Sequence, residues 1–170
     1  WHEVLESLPK ERNIWQYIRA VTAQLSEVLA VLERLAPLQY AEAWDNVGVL
    51  VEPVALPRDA RVSDALLTID LSDDVVAEAE ALGAKLIIAY HPPIFQGLKR
   101  LRGSQPNERV VMRCASAGIT VFSPHTALDA SPDGVNAWLT QAFGAGWRGP
   151  CVPRAADGRY GQGRYVRLEE

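Results

Sequence analysis

Three short, nearly all-apolar runs at residues 65–69, 85–90 and 119–122 alternate with two stretches of helical character, and this alternation constrains the fold more than any other feature. A strand that is apolar along its whole length suits burial on both faces, and parallel neighbours need a covering crossover between them. The crossovers are marked in the sequence. Ser72 is placed to cap a helix whose first turn holds Asp73 and Asp74, which suit the positive helix end, and Gly83 supplies a left-handed stop. A second helix is expected near residues 107–117, ended by Gly118. The order β-α-β-α-β predicts an α/β fold, a mainly parallel sheet covered by helices.

Upstream, Ile14, Ile18, Val21, Leu25, Val28, Leu29, Leu32 and Leu35 recur every three or four residues, which predicts one long amphipathic helix stopped by Pro37. Residues 46–51 are short, β-branched and closed by Pro53, as expected of a strand. Residues 53–63, 92–105 and 123–133 read as loops, and a short helix is expected over 134–143. Six of the twelve glycines fall between Gly144 and Gly163, where no apolar periodicity survives. The organisation predicted is an N-terminal extension over residues 1–13, one α/β domain over 14–143, and a glycine-rich tail of loop or linker over 144–170. The 170 residues match one ordinary domain.

Charge and cysteine content exclude several classes. Lys and Arg number 17 against 21 Asp and Glu, so direct nucleic-acid binding through a broad basic surface is not expected. No uncharged apolar run approaches the roughly 20 residues of a membrane helix, and a soluble, cytoplasmic protein is expected. Cys114 and Cys151 are too few and too far apart for a disulfide framework or a Cys-x-x-Cys site, and Cys114 is expected in a buried helix face. The chain begins at Trp1 rather than methionine, and the expectation is that an upstream stretch was removed, trimmed or never included.

In open parallel sheets the loops leaving the carboxyl ends of the strands converge on one rim, where ligands bind. The strand ending at Ile69 delivers Asp70, the one ending at Tyr90 delivers His91, and the one ending at Phe122 delivers His125 and Asp129. Two imidazoles and two carboxylates suit a zinc-, iron- or manganese-type ion better than magnesium or calcium. Either histidine, alone, equally suits a backbone-bonded turn position. No phosphate loop, dinucleotide motif or serine nucleophile elbow is present. Lys99, Arg100 and Arg102 form a short basic patch that reads first as a solvated loop and second as a phosphate contact.

Three segments carry a resemblance: Ala41-Glu42-Ala43-Trp44-Asp45-Asn46-Val47-Gly48-Val49-Leu50, Tyr90-His91-Pro92-Pro93-Ile94-Phe95 with Lys99-Arg100, and Ser123-Pro124-His125-Thr126-Ala127-Leu128-Asp129 with Gly134-Val135-Asn136. Together they resemble the NIF-three-like family, in its animal form. The resemblance implies an α/β subunit of a ring-like homo-oligomer with a dinuclear metal site. It further implies that His91 and Asp129 are metal ligands and that His125 orients ligands by hydrogen bonding rather than binding the ion. Tyr90 stands where the bacterial pattern has a first histidine, and a phenol is a poor ligand near neutral pH. Asp45, Asn46 and Lys99 belong to family motifs without an assigned role, and Asp70 lies nearby.

The family's C-terminal half, with its remaining His and Glu ligands, has no counterpart beyond a faint likeness at Tyr160-Gly161-Gln162-Gly163-Arg164. A truncated product, isoform or fragment is therefore expected, with its divalent metal weakly bound. Two functions follow from the resemblance. One is a metal-dependent hydrolase with an incomplete site. The other is a non-enzymatic interaction protein, a transcriptional co-regulator or scaffold with protein partners, in cytoplasm or nucleus.

Overall fold

The computed structural model describes residues 22–169. In chain order they form β1 (Ala23–Gln24), α1 (Leu25–Leu35), β2 (Gly48–Val51), β3 (Arg61–Val62), β4 (Ala65–Thr68) and α2 (Asp73–Leu82). There follow β5 (Leu86–Ala89), α3 (Pro106–Ala117), β6 (Thr120–Ser123), α4 (His125–Ala130) and α5 (Val135–Thr140). Four short strands complete the chain: β7 (Gly146–Gly149), β8 (Val152–Pro153), β9 (Gly161–Gln162) and β10 (Tyr165–Leu168).

The main sheet has the order β2-β6-β5-β4. Strands β4, β5 and β6 are parallel, with Ala65 opposite Leu86 and Leu86 opposite Thr120. Strand β2 adds to β6 antiparallel, with Gly48 opposite Ser123. The fold is thus α/β with a mixed, mainly parallel four-stranded sheet. Both crossover helices form as their signals predict. The Ser72 hydroxyl accepts from the Val75 N–H, and Gly83 and Gly118 end α2 and α3 at φ of +70° and +68°.

One sheet face is covered by α2 and α3, whose Val76, Ala79, Val110, Val111 and Cys114 pack on Ile87, Ala89 and Val121. Burial pushes the Cys114 thiol up to about 11, so it behaves as a small apolar side chain. The other face carries α1, where Leu25 packs with Leu86 and Phe122. The helix α1 reaches only part of this face. Leu67 and Ile69 at the β4 edge remain 75% and 63% exposed, so the 65–69 run is not buried on both sides. Its apolar composition predicts burial on both faces, and its position at the sheet edge, beyond the reach of α1, is what leaves one face open.

Two other expectations are corrected. The helix α1 begins at Leu25 rather than near Ile14, because Ala23 and Gln24 are extended and pair with Val62 and Arg61. The Gln24 N–H donates to the Glu27 carboxylate, which ties off the helix start. The earlier part of that expected helix, residues 14–21, lies outside the described residues. The glycine-rich 144–170 segment is not plain loop, since β7 pairs with β10 and β8 with β9, both antiparallel. Four-residue and two-residue strands broken by glycine leave no periodicity for a sequence pattern to register.

Helices α2 and α3 are also clamped by charge. Both carboxylate oxygens of Asp73 accept from the Arg109 guanidinium, and Arg113 bridges Asp73 to Glu80. Hydrogen bonds from Arg109, ahead of those from Arg113, hold the Asp73 carboxyl down at about 2 despite some desolvation. A folded-state value below the free aspartate value of about 3.9 means that the clamp stabilises the fold above that pH and is lost as pH falls through 2. Asp73→Asn is therefore expected to lower the urea midpoint at neutral pH, with the difference from the parent closing between about pH 4 and pH 2. In the core, Ile87 is 0% exposed, and Ile87→Ala should cost about 3 kcal/mol in urea unfolding.

Candidate functional site

The sheet topology decides which loops meet. The carboxyl ends of β4, β5 and β6 lie at one rim, and because β2 runs antiparallel, its amino end lies there too. Past the ends of the strands the ladder continues, with the Tyr90 N–H donating to Thr68 O and the His91 N–H to Ile69 O, each at 2.9 Å. Asp70, Tyr90, His91, His125 and Asp129 therefore come from three successive strand ends, and Asp45 from the approach to β2.

These residues form three acid–aromatic pairs. His91 Nδ1 lies 2.8 Å from Asp70 Oδ1, and His125 Nδ1 lies 2.8 Å from Asp45 Oδ1. A carboxylate only accepts, so in each pair Nδ1 carries the proton and Nε2 is the free ring nitrogen. The Tyr90 hydroxyl donates to Asp129 Oδ1 at 2.6 Å. The three rings form a cluster. The His91 and His125 centroids are 5.6 Å apart and nearly perpendicular, and Tyr90 stands 5.1 Å from His91 and 5.6 Å from His125.

The environments of the pairs differ. Asp70 is 77% exposed and His91 half exposed, whereas His125 is mostly covered and the Asp45 side chain is fully buried. Burial alone would raise the Asp45 carboxyl. Hydrogen bonds from the Thr126 hydroxyl, from His125 and from the Asn46 and Thr126 N–H groups outweigh it, so the net shift is downward. Tyr90 is moved the other way. Burial first, then its bond to Asp129 and the charges of Asp129 and Asp45, push the phenol well above its usual value, so it stays a neutral donor.

His125 sits at the first position of α4 with φ of +30°, which no other non-glycine residue among those described adopts on the positive side. Such backbone is costly for a residue with a Cβ and persists where the surroundings enforce it. Here the enforcement is the Asp45 bond and the Thr126 N–H bond to the same carboxylate. The 123–133 loop expected from composition is thus a helix over its middle, because Asp45 supplies the cap that local sequence lacks. Gly134 is needed a few residues later, where a Cβ would lie 1.7 Å from Leu128 O.

The geometry brings together His91, His125, Asp129, Tyr90, Asp70 and Asp45. Asn46 supports the rim from behind, its side-chain amide donating to Ile94 O. Lys99 lies exposed on the 92–105 loop, and Arg102 from the same basic patch pairs with Glu108 at 3.0 Å. Ser123 is buried and donates to Tyr90 O, a structural use of a hydroxyl next to the rim. Sequence reasoning missed Thr126 and the Trp44–Phe95 pair. Trp44 stands edge-on to Phe95 at 6.0 Å and to His125 at 6.3 Å, and both Trp44 and Phe95 are exposed. The exposure of two large aromatics could not be read from composition. Among the described residues, no three His, Cys, Asp or Glu side chains converge closely enough to hold one ion. No described helix is long and apolar enough to cross a membrane.

A mainly parallel α/β protein with histidine–carboxylate pairs on its carboxyl-end rim is the class that fold and rim define. More particularly, the chain belongs to the Duf34/NIF3 (NGG1p interacting factor 3) family, whose profile matches residues 23–170. It is 44% identical over 144 residues to NIF3-like protein 1 of Drosophila melanogaster, covering 84% of this chain and 48% of that protein. With the human NIF3-like protein 1 it shares 43% over 132 residues, 78% of this chain and 34% of that one. The chain thus spans half or less of the length of these relatives. Among solved structures, a Bacillus cereus protein related to NIF3 superposes with a TM-score of 0.69 at 28% identity, over 78% of this chain and 36% of that one. Reduced HcgD from Methanocaldococcus jannaschii has the same fold, with a TM-score of 0.69 at 22% identity over 76% of this chain and 50% of its own.

Removing the Asp45 carboxylate leaves His125 Nδ1–H and two backbone N–H groups without their acceptor. Asp45→Ala should cost about 3 kcal/mol in urea unfolding, and Asp70→Ala, at an exposed pair, under about 1 kcal/mol.

Proposed function

We propose that the rim binds a divalent ion of the zinc, iron or manganese type through His91 and Asp129, and that the protein is a metal-dependent hydrolase. The observation that carries this reading is the pairing of each imidazole Nδ1 with a carboxylate, which fixes the ring and orients Nε2 as a donor, as in histidines that bind metals. Asp129 has one oxygen engaged by Tyr90 and a second outside that bond. The donors suit such an ion in kind and fall short of the three or four protein ligands of a tight site, so binding is weak and removed by chelator. A bound ion would supply Lewis acidity toward water or a substrate oxygen. The protein's own part is to hold His91 through Asp70, to hold His125 through Asp45, and to keep Tyr90 protonated against Asp129.

A second reading is favoured by one feature. The Tyr90 phenol occupies an oxygen of the proposed ligand Asp129, as in a site used for structure rather than chemistry. A yeast relative, 33% identical over 165 residues, is named NGG1-interacting factor 3, and by that likeness the chain is a non-enzymatic co-regulator or scaffold with a protein partner. Under either reading the exposed β4 edge, with Leu67 and Ile69, supports self-association into a homo-oligomer in the cytoplasm or nucleus.

Calorimetry separates the readings. The parent should bind Zn²⁺ or Mn²⁺ weakly, Tyr90→His should bind at least about tenfold more tightly by adding an imidazole beside His91, and Asp129→Asn should abolish the gain. No heat from the parent and none from Tyr90→His would leave only the interaction reading standing.

A further inference from the structure

Apart from the rim, a cleft of about 630 Å³ opens between α5, the α4–α5 turn, β7 and the segments that carry Arg159 and Arg164. None of the rim residues lines it. Its size is that of a small-molecule site. Two indoles stand in its walls: Trp138 from α5 and Trp147 from β7, 60% and 57% exposed. Trp147 is held in place from two sides. Its ring lies so close over Gly149 that a Cβ there would meet it at 2.3 Å, and it packs against Tyr165 at 5.0 Å between centroids.

The charge of the cleft is the second observation. Arg148, Arg159 and Arg164 all line it, and only Arg159 has a carboxylate partner among the described residues, Asp157 at 2.7 Å. Arg148 and Arg164 are positioned by backbone carbonyls instead. Arg148 donates to Gly146 O, Thr140 O and Gly144 O, which leaves one Nη1–H outside these bonds, and Arg164 donates to Gly161 O and to Ala130 O at the end of α4. Carbonyls orient a guanidinium without neutralising it. The Arg148 Nε is buried and has no partner, and burial lowers the Arg164 guanidinium from its ordinary value, a cost that a nearby anion reverses. Asp133, also in the lining, forms no ion pair among the described residues and is left to accept from a ligand's N–H or O–H groups.

From these observations we infer that the cleft binds a nucleoside monophosphate, its base against the Trp138 and Trp147 indoles and its phosphate on Arg148 and Arg164. Guanidinium pairs suit phosphate oxygens, and an indole offers a stacking face to any base. A simple inorganic anion would leave the indoles unused, and a neutral aromatic would leave two guanidinium charges uncompensated.

The test is calorimetric titration of the 170-residue chain with AMP and GMP in EDTA, which removes any metal-bridged binding at the rim, with adenosine and inorganic phosphate as partial ligands. Backbone and indole N–H shifts in ¹⁵N spectra report the location. Expected are saturable binding of the nucleotides, weaker binding of adenosine and of phosphate, and shifts of the Trp138 and Trp147 indole signals. Arg164→Gln should weaken AMP about tenfold while leaving adenosine unchanged, and Trp138→Ala should weaken both. Trp138 is largely exposed, so that variant keeps the test open even where Arg164→Gln loosens α4. Absence of nucleotide binding by the parent overturns the inference. So does phosphate binding as tight as AMP, or binding that moves the signals of His91 and His125 and spares the two indoles.

Discussion

The Asp45 carboxylate is out of contact with water and accepts from the Asn46 N–H, the Thr126 N–H, the Thr126 hydroxyl and His125. A buried carboxylate is tolerable only when its lone pairs are met in this way, and each donor here is thereby fixed in place. Through Thr126 it starts helix α4. Through His125 it sets a ring tautomer and enforces an unusual backbone angle. Through Asn46, whose amide donates to Ile94 O, it joins the approach of β2 to the loop that follows His91. The rim is consequently a single hydrogen-bonded unit rather than a gathering of independent side chains, and Tyr90, kept protonated by burial and by Asp129, closes it toward α4.

The parallel core was legible because its signals are local. Ser72, Gly83 and Gly118 each act within a few residues, and the apolar runs around Ile87 and Val121 mark strands whatever lies elsewhere. From those signals the rim itself could be inferred, together with Asp70, His91, His125 and Asp129. What could not be read depends on pairing at a distance. Asp45 acquires a partner only because β2 runs antiparallel to β6, a choice that no stretch of either strand announces. The helical state of residues 125–130 depends on a cap 80 positions away. The tail strands are too short and too rich in glycine for periodicity to reveal, and the exposure of Leu67 reflects which strand became the edge.

Helix α4 is bonded both to the rim and to a residue that lines the cleft. Asp129 points its carboxylate to Tyr90 on the rim, while the next residue, Ala130, gives its carbonyl to Arg164 in the cleft. Asn136 adds a bond from α5 to Asp129 O, so the first turn of α5 is tied to the rim as well. A six-residue helix has little intrinsic stability, and its position is set by what it bonds at each end. A shift along its axis would alter both surroundings together.

The distance in sequence between Asp45 and His125 has a consequence for the order in which the molecule matures. Chains are made from the amino terminus, and contacts that close long loops form after those that close short ones. The β4–β5 ladder closes a shorter loop than the contact of Asp45 with Thr126, and the carboxylate is withdrawn only after β6 has emerged and Thr126 arrives behind it. A nascent chain that stalls short of that point holds both members of the Asp70–His91 pair and lacks the residues that bury Asp45. The buried part of the rim, Asp45 with His125 and Thr126, is in this sense a later product of synthesis than the exposed Asp70–His91 pair.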